Sequence, residues 1–420
     1  MTEVIHKKRH HKVRRFFTYL LIFFVTLISL GVLVLSIHSL TVNAHQNRIK
    51  SFYKTDGLPK KVRLGEIVRS EPLGVKIPNG YGLRILYGTQ SGSGDYTFSS
   101  GMVFIPDNTT AATPRPIVAW AHGTLGLGDA CTPSRLNNPV KNISWISQML
   151  SRGWVVTATD YAGFGTPGNS GYLLGKDEAY DVLNSVRAAR NVGEAHTSNN
   201  YAVWGHSQGG NSALFSSSLA KTYAPDLRLI STVASAPAAE LVPLFNEQYG
   251  TVGDWVIGPL LGTSWPASNK SLNNSDVMTK TGLNNFQRIA NQCILQSSLV
   301  GLIRNLFGMK FYSQNPVTIS SWKEMAKKQS APVLKSNMPL LVVESKADKV
   351  VLPNTTALYI QSACKAGSNV DSLWVDNVAH QAIPKQTANQ VIAWIGDRFN
   401  NIPNQSTCSQ QLPVAPATDP

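Results

Sequence analysis

The sequence predicts an α/β protein: a mostly parallel central sheet, helices on both of its faces, and an inserted, largely helical cap. Three observations predict it. Short apolar runs recur at 117–121, 154–159, 201–204, 229–234, 339–344 and 373–375, continuous rather than alternating, as strands covered on both faces read. Helix-like sequence lies between them. Residues 177–190 carry Ala179, Val182, Leu183 and Val186 on one face, open on Asp177 and Glu178, and close on Arg187 and Arg190, charges that complement the helix dipole. Residues 239–337, by contrast, keep no strand rhythm.

At the N-terminus, Lys7, Lys8, Arg9, Lys12, Arg14 and Arg15 precede a charge-free apolar run from Phe16 to Ile37. At about 1.5 Å per residue, this run spans a bilayer core of about 30 Å. The basic flank stays in the cytoplasm, so the remainder is expected to be exported. The run exceeds the roughly 7–15 residues of a cleaved signal, which predicts an uncleaved anchor within residues 1–44. The small residues Val42-Asn43-Ala44 offer the competing outcome, cleavage after Ala44 and secretion. Next, 83–87 and 102–105 flank the turn Gly92-Ser93-Gly94-Asp95 and predict an opening β-hairpin. The core is expected in two parts, 45–238 and 338–408, with the cap, 239–337, between the sixth and seventh strands. Residues 409–420, rich in Gln, Pro and Ala, are expected to be a disordered tail.

The chain carries 38 Lys/Arg against 24 Asp/Glu. Without residues 1–44 the excess is +9 (32 − 23), a solvated surface of mild positive charge. No zinc-finger spacing, basic helix or aromatic–basic interleaving points to nucleic acid. No metal-ligand spacing or phosphate-cradling glycine loop points to a metal or a cofactor.

The chemistry is concentrated in Tyr201-Ala-Val-Trp-Gly-His-Ser-Gln-Gly-Gly210, which sets Gly205, Ser207 and Gly209 between an apolar run and a helix-like one. A serine on a sharp strand-to-helix turn presents its hydroxyl above the sheet. The flanking glycines are required because a Cβ there would strike the neighbouring strand and helix. A structural turn is the plainer reading, and the strand–turn–helix frame argues against it. Serine needs a base, and the base needs an orienting acid. Setting aside histidines in the N-terminal segment, in polar loops and in the motifs themselves leaves His380, after the run at 372–375. Asp348 follows the buried run 339–344, while Asp376 lies four residues before His380 and reads as a surface turn residue. The order Ser207, Asp348, His380 is that of the α/β-hydrolase fold.

A second signal is the run Arg115-Pro-Ile-Val-Ala-Trp-Ala-His-Gly-Thr124. The loop after such a strand supplies one oxyanion N–H. The Thr124 N–H is the preferred donor and Gly123 the next, with the Gln208 N–H, after the nucleophile, as partner.

Together these pieces resemble the secretory lipases of the α/β-hydrolase superfamily. The resemblance runs from about Gly80 to Cys408. It rests on His122-Gly-Thr124, Cys131-Thr-Pro-Ser134, Asp160-Tyr-Ala-Gly-Phe-Gly165, Gly205-His-Ser-Gln-Gly209, Asp348 and His380. It implies Ser207 as nucleophile, His380 as general base and Asp348 as the residue that orients the imidazole. The family's turn often reads Gly-Tyr-Ser-Gly-Gly, so His206 and Gln208 make substrate range less transferable. The four cysteines allow three pairings. The resemblance implies Cys131–Cys293 and Cys364–Cys408, worth at most roughly 5 and 4 kcal/mol by loop entropy. In the cap, Ile294, Leu295, Leu299, Leu302, Ile303, Leu306 and Phe307 recur at helical spacing, and residues 255–261 add an apolar patch. The plainer reading is that these stripes hold the cap together; the resemblance implies an acyl channel or a lid face that meets lipid.

The expected function is an exported serine ester hydrolase, a lipase or carboxylesterase, acting on acyl-ester or lipid substrates without a cofactor. Two rivals stand beside it. A serine peptidase on this fold would need a polar anchor for a peptide terminus, and the cap is apolar. A non-catalytic binding module would be expected to lack a triad member. Oligomeric state is not legible in the sequence.

Overall fold

Each apolar strand sends alternate residues to opposite sides of one sheet. In the computed structural model, Ile117, Ala119 and Ala121 lie in one buried cluster with Tyr201 and Val203, while Val118 and Trp120 join Ala202 and Trp204 in another. The structure describes residues 18–20, 22–23, 25–26, 29–30, 37, 39–107, 112–143, 145–335 and 337–418. They form two units, Met1–Ser51 and Phe52–Pro420. In the first, residues 39–49 are helical. No helix among the described residues is long and apolar enough to cross a membrane. Most of the 16–37 run lies outside them, so the anchor expectation gains no support.

The second unit is built on nine strands: β1 (Ile67–Pro72), β2 (Gly80–Gln90), β3 (Tyr96–Pro106), β4 (Arg115–Ala121), β5 (Val155–Thr159), β6 (Thr197–His206), β7 (Arg228–Ser235), β8 (Leu340–Ser345) and β9 (Val370–Val375). Their order is β1-β2-β3-β5-β4-β6-β7-β8-β9. The first three are antiparallel, β3 runs antiparallel to β5, and all pairings from β5 to β9 are parallel. Every predicted run is a strand, and the opening hairpin is β2–β3. β1 was not predicted: it is a partly exposed edge strand whose Arg69, Ser70 and Glu71 break the apolar signal.

The Gly175–Arg190 helix presents Val182, Leu183 and Val186 to one sheet face, together with Ala213 of the Gln208–Tyr223 helix. On the other face lie Ile146, Met149 and Leu150 and the Val391, Ile392 and Ile395 stripe of the Ala388–Phe399 helix. Trp120, Trp145 and Trp204 meet there at 5.1–5.2 Å between ring centroids. The Pro353–Lys365 helix packs Tyr359, Ile360 and Ala363 on Leu340, Val342 and Val370 at the β8–β9 end.

Between β7 and β8 the chain forms helices, chiefly Leu241–Gln248, Val252–Ser268, Ile294–Leu306 and Ser320–Gln329. Trp255, Leu260, Leu261 and Trp265 are buried there. The stripe at 294–307 departs from its plainer reading. The small residues Ser297 and Gly301 are the buried ones, and a Cβ on Gly301 would lie 3.0 Å from Trp255 Cβ. Leu295, Leu299, Leu302, Ile303, Leu306 and Phe307 are exposed. The tail differs from expectation too. Leu412 packs on the β8–β9 cluster, and the Ala417 N–H donates to the Asn354 carbonyl at 2.9 Å.

Candidate active site

Ser207 sits where β6 ends and the Gln208–Tyr223 helix begins, with φ 58° and ψ −118°. That conformation is strained for a residue with a Cβ and persists only where its surroundings enforce it. Here they do. The Ser207 N–H donates to the Ser235 carbonyl at 2.9 Å, and its carbonyl accepts the N–H groups of Asn211 and Ala238, each at 3.1 Å. The flanking glycines are a steric necessity. A Cβ on Gly205 would lie 1.8 Å from the Gly209 carbonyl oxygen, and one on Gly209 would lie 2.0 Å from that of Ala121.

Asp348 and His380 come together. His380 Nδ1 is 2.6 Å from Asp348 Oδ2 in a buried pair. Asp348 is held from behind: its Oδ1 accepts the N–H groups of Val350 at 2.7 Å and Val351 at 3.2 Å. Asp376 points elsewhere, pairing with Lys346 at 2.7 Å on the surface. His380 Nε2 is buried and has no hydrogen-bond partner among the described residues. His206, adjacent to Ser207, donates from Nε2 to the His380 carbonyl at 3.1 Å, and the two rings pack at a 39° tilt with centroids 4.6 Å apart. Burial, and then the neighbouring His380, push the His206 pKa well below its usual value. His206 is therefore a neutral brace that joins the serine turn to the histidine turn.

Gly123 runs directly over the serine: a Cβ on it would lie 3.3 Å from Ser207 Cβ. His122 Nδ1 donates to the Gly123 carbonyl at 2.7 Å. In a trans peptide the N–H points opposite to the carbonyl, so this contact fixes the direction of the Thr124 N–H. Thr124 Oγ1 is anchored 2.8 Å from the Tyr172 hydroxyl. Gln208 opens its helix, where an N–H has no intrahelical partner. Among the described residues, neither the Thr124 nor the Gln208 N–H is donated to a protein acceptor.

The cap is stitched to this loop. The Leu127 N–H donates to the Ala290 carbonyl at 2.8 Å, and the Ile294 N–H to that of Leu125 at 2.9 Å. The disulfides are Cys131–Cys293, beside these contacts, and Cys364–Cys408, which joins the tail to the Pro353–Lys365 helix.

Sequence reasoning missed three residues here. Glu344, at the end of β8, is fully buried and accepts the Ser345 N–H at 2.7 Å and the Thr356 hydroxyl at 2.5 Å; burial, and then the Asp348 charge, hold its carboxyl well above the usual range. Glu178, read as a helix-dipole opener, is buried against Gln208. Tyr172 came from a loop with no motif. An acid inside an apolar strand run was a usable signal for Glu344; Glu178 and Tyr172 had none.

The secretory lipase family model matches residues 140–407. A secreted triacylglycerol lipase of Malassezia globosa is 25% identical over 415 residues, covering 92% of this chain and 89% of that protein. Lipase 4 of Candida albicans is 24% identical, covering 85% and 82%. Among solved structures, lipase A of Candida antarctica in its closed state superposes with TM-score 0.70 at 17% identity, covering 88% of this chain and 91% of that one. A rice cell wall degrading esterase of Xanthomonas oryzae gives TM-score 0.67 at 16% identity, covering 81% and 99%. These likenesses make the architecture that of the α/β-hydrolases, and with the family match over most of its length the chain belongs to the secretory lipases, a family of ester hydrolases.

Proposed function

We propose that the protein is an exported serine ester hydrolase that cleaves acyl esters through an acyl-enzyme. The carrying observation is the division of labour on His380: Nδ1 is committed to Asp348, while the buried Nε2 is left without a partner. In this reading Nε2 takes the Ser207 proton as Oγ attacks the ester carbonyl. The Thr124 and Gln208 N–H groups receive the oxyanion, with Gly123 as the alternative donor. The imidazolium, stabilised by Asp348, then protonates the departing alcohol. Water, deprotonated by the same nitrogen, releases the acid and restores Ser207.

The exposed apolar face of the Ile294–Leu306 helix supports a lipid or long-chain ester as substrate. Burying acyl methylenes contributes about 0.8 kcal/mol each. Export is part of the proposal, supported by the basic flank and apolar run of residues 7–37 and by a relative described as secreted. Fractionation of expressing cells tests it: activity confined to the cytoplasm would overturn it.

The deciding experiment is hydrolysis of p-nitrophenyl esters from C2 to C16 by the full chain beside Ser207→Ala. Ser207-dependent activity that peaks at long chains identifies a lipase, and a peak at acetate or butyrate identifies a carboxylesterase. No activity at any length from folded protein overturns the reading and turns attention to peptide substrates.

A further inference from the structure

Glu178 is a fully buried carboxyl with no cation paired to it among the described residues. Gln208 Nε2 donates to its Oε1 at 2.6 Å, and the Leu173 N–H donates to the same oxygen at 2.9 Å. Its Oε2 lies 2.5 Å from Ser212 Oγ, and that hydroxyl lies 3.0 Å from the Gln208 carbonyl. One carboxyl therefore grips residue 208 twice, at the side-chain amide directly and at the main-chain carbonyl through Ser212. Leu173 adds a third link, because its neighbour Tyr172 holds Thr124 Oγ1.

We infer that Glu178 is a positioning residue for the oxyanion hole: its carboxyl clamps Gln208 at both ends and, through Leu173 and Tyr172, ties it to Thr124. The inference rests on the oxyanion roles proposed above for Thr124 and Gln208. The contacts form a closed set when the carboxyl is neutral. The proton on Oε2 goes to Ser212 Oγ, Ser212 donates to the Gln208 carbonyl, and Oε1 accepts from Gln208 Nε2 and Leu173. Without that proton, the Ser212 hydroxyl turns to the carboxylate, and the Gln208 carbonyl loses its side-chain donor. Burial pushes the Glu178 pKa up to about 8, against the lowering pull of those hydrogen bonds, so the clamp is closed at neutral pH and opens in mild alkali.

Other titratable groups face Glu178. Asp181 lies on its own helix, and burial raises it to about 7. Tyr161 and Tyr172 come from the loop after β5, and burial keeps both neutral. The Gln208–Tyr223 helix presents only Gln208 and Ser212.

The test uses the full-length protein with Glu178→Gln, Glu178→Ala and Asp181→Asn. Glutamine reproduces the neutral acid, since its Nε2 can donate to Ser212 and its Oε1 can accept from Gln208 and Leu173. The alanine variant is expected to lose about 10- to 100-fold in kcat on p-nitrophenyl butyrate while KM changes less than about threefold. The glutamine variant is expected to restore most of kcat at pH 7 and to abolish the alkaline fall centred near pH 8, which Asp181→Asn retains. A readout that needs no turnover is the Gln208 backbone amide in ¹⁵N-glutamine-labelled protein. It should titrate with the same midpoint in wild type and Ser207→Ala and stay still in Glu178→Gln. If no ester is hydrolysed, the catalytic reading fails, and the amide titration alone decides whether Glu178 governs Gln208. If Ser207-dependent hydrolysis is present but neither the alkaline limb nor the amide responds to Glu178→Gln, the inference is overturned and the catalytic reading stands. An alanine variant that fails to fold leaves both glutamine readouts decisive.

Discussion

At Ser207 the backbone is as much a part of the site as the hydroxyl. The positive φ holds only because Gly205 and Gly209 let strand, turn and helix close to distances that exclude a Cβ. Gly205→Ala and Gly209→Ala should therefore each destabilise the fold by more than about 3 kcal/mol; a urea midpoint equal to wild type would contradict this. Asp348→Ala should lower kcat about 10⁴-fold, as loss of the orienting acid does in serine triads, while Asp376→Ala stays within about threefold. Steady-state kinetics on one ester separates the two, and the reverse ranking would exchange the aspartates. The candidates Ser207, Asp348 and His380 could be picked out because each follows a strand run, in the serine–acid–histidine order. Glu178 and Glu344 were missed. Local sequence makes Glu178 an ordinary first-turn acid, and only the return of the loop carrying Leu173 encloses it.

Among the elements, the buried parallel strands announced themselves because nothing polar interrupts them. β1 escaped because an edge strand need bury only part of itself. The cap helix Ile294–Leu306 shows the limit of periodicity: the spacing predicted a helix with an apolar stripe but could not say which way the stripe faces. The helix beneath decides it: Gly301 packs so closely on Val252–Ser268 that an added Cβ would lie 3.0 Å from Trp255 Cβ, and the leucines are turned outward. Such an apolar surface marks a contact site on an otherwise solvated protein. The double substitution Leu295→Asp/Leu299→Asp should cut hydrolysis of emulsified long-chain triglyceride about tenfold or more and leave soluble p-nitrophenyl butyrate within about twofold. Equal losses on both substrates would place the defect in the site and not at the surface.

Across the whole molecule, the polar interior sets a pH dependence that no single motif predicts. Burial raises the carboxyls of Glu178 to about 8 and Asp181 to about 7, and, together with the Asp348 charge, lifts that of Glu344 well above its usual range. Burial lowers His122, and burial with the neighbouring His380 lowers His206 further. A raised carboxyl contributes stability in full below its unfolded pKa of about 4.5 and loses it as pH climbs towards the folded value. A depressed histidine does so above about 6.5 and loses it as pH falls. Between pH 6.5 and 8 His122 and His206 are neutral in the folded state and hold at most about half a proton each in the unfolded one, while the unfolded carboxyls are ionised. Glu178, with its carboxyl raised to about 8, still holds a proton in the folded state and Asp181, at about 7, holds part of one, so the folded protein binds more protons than the unfolded one. Stability must then fall as pH rises. Calorimetry should show Tm decreasing from pH 6.5 to 8, with the Glu178 share levelling off above 8. Glu178→Gln should flatten that slope and raise Tm relative to wild type at pH 8, while at pH 5 the two differ least. A wild-type Tm that rose across this interval would mean that these carboxyls are ionised in the folded protein, and the neutral clamp on Gln208 would fall with them.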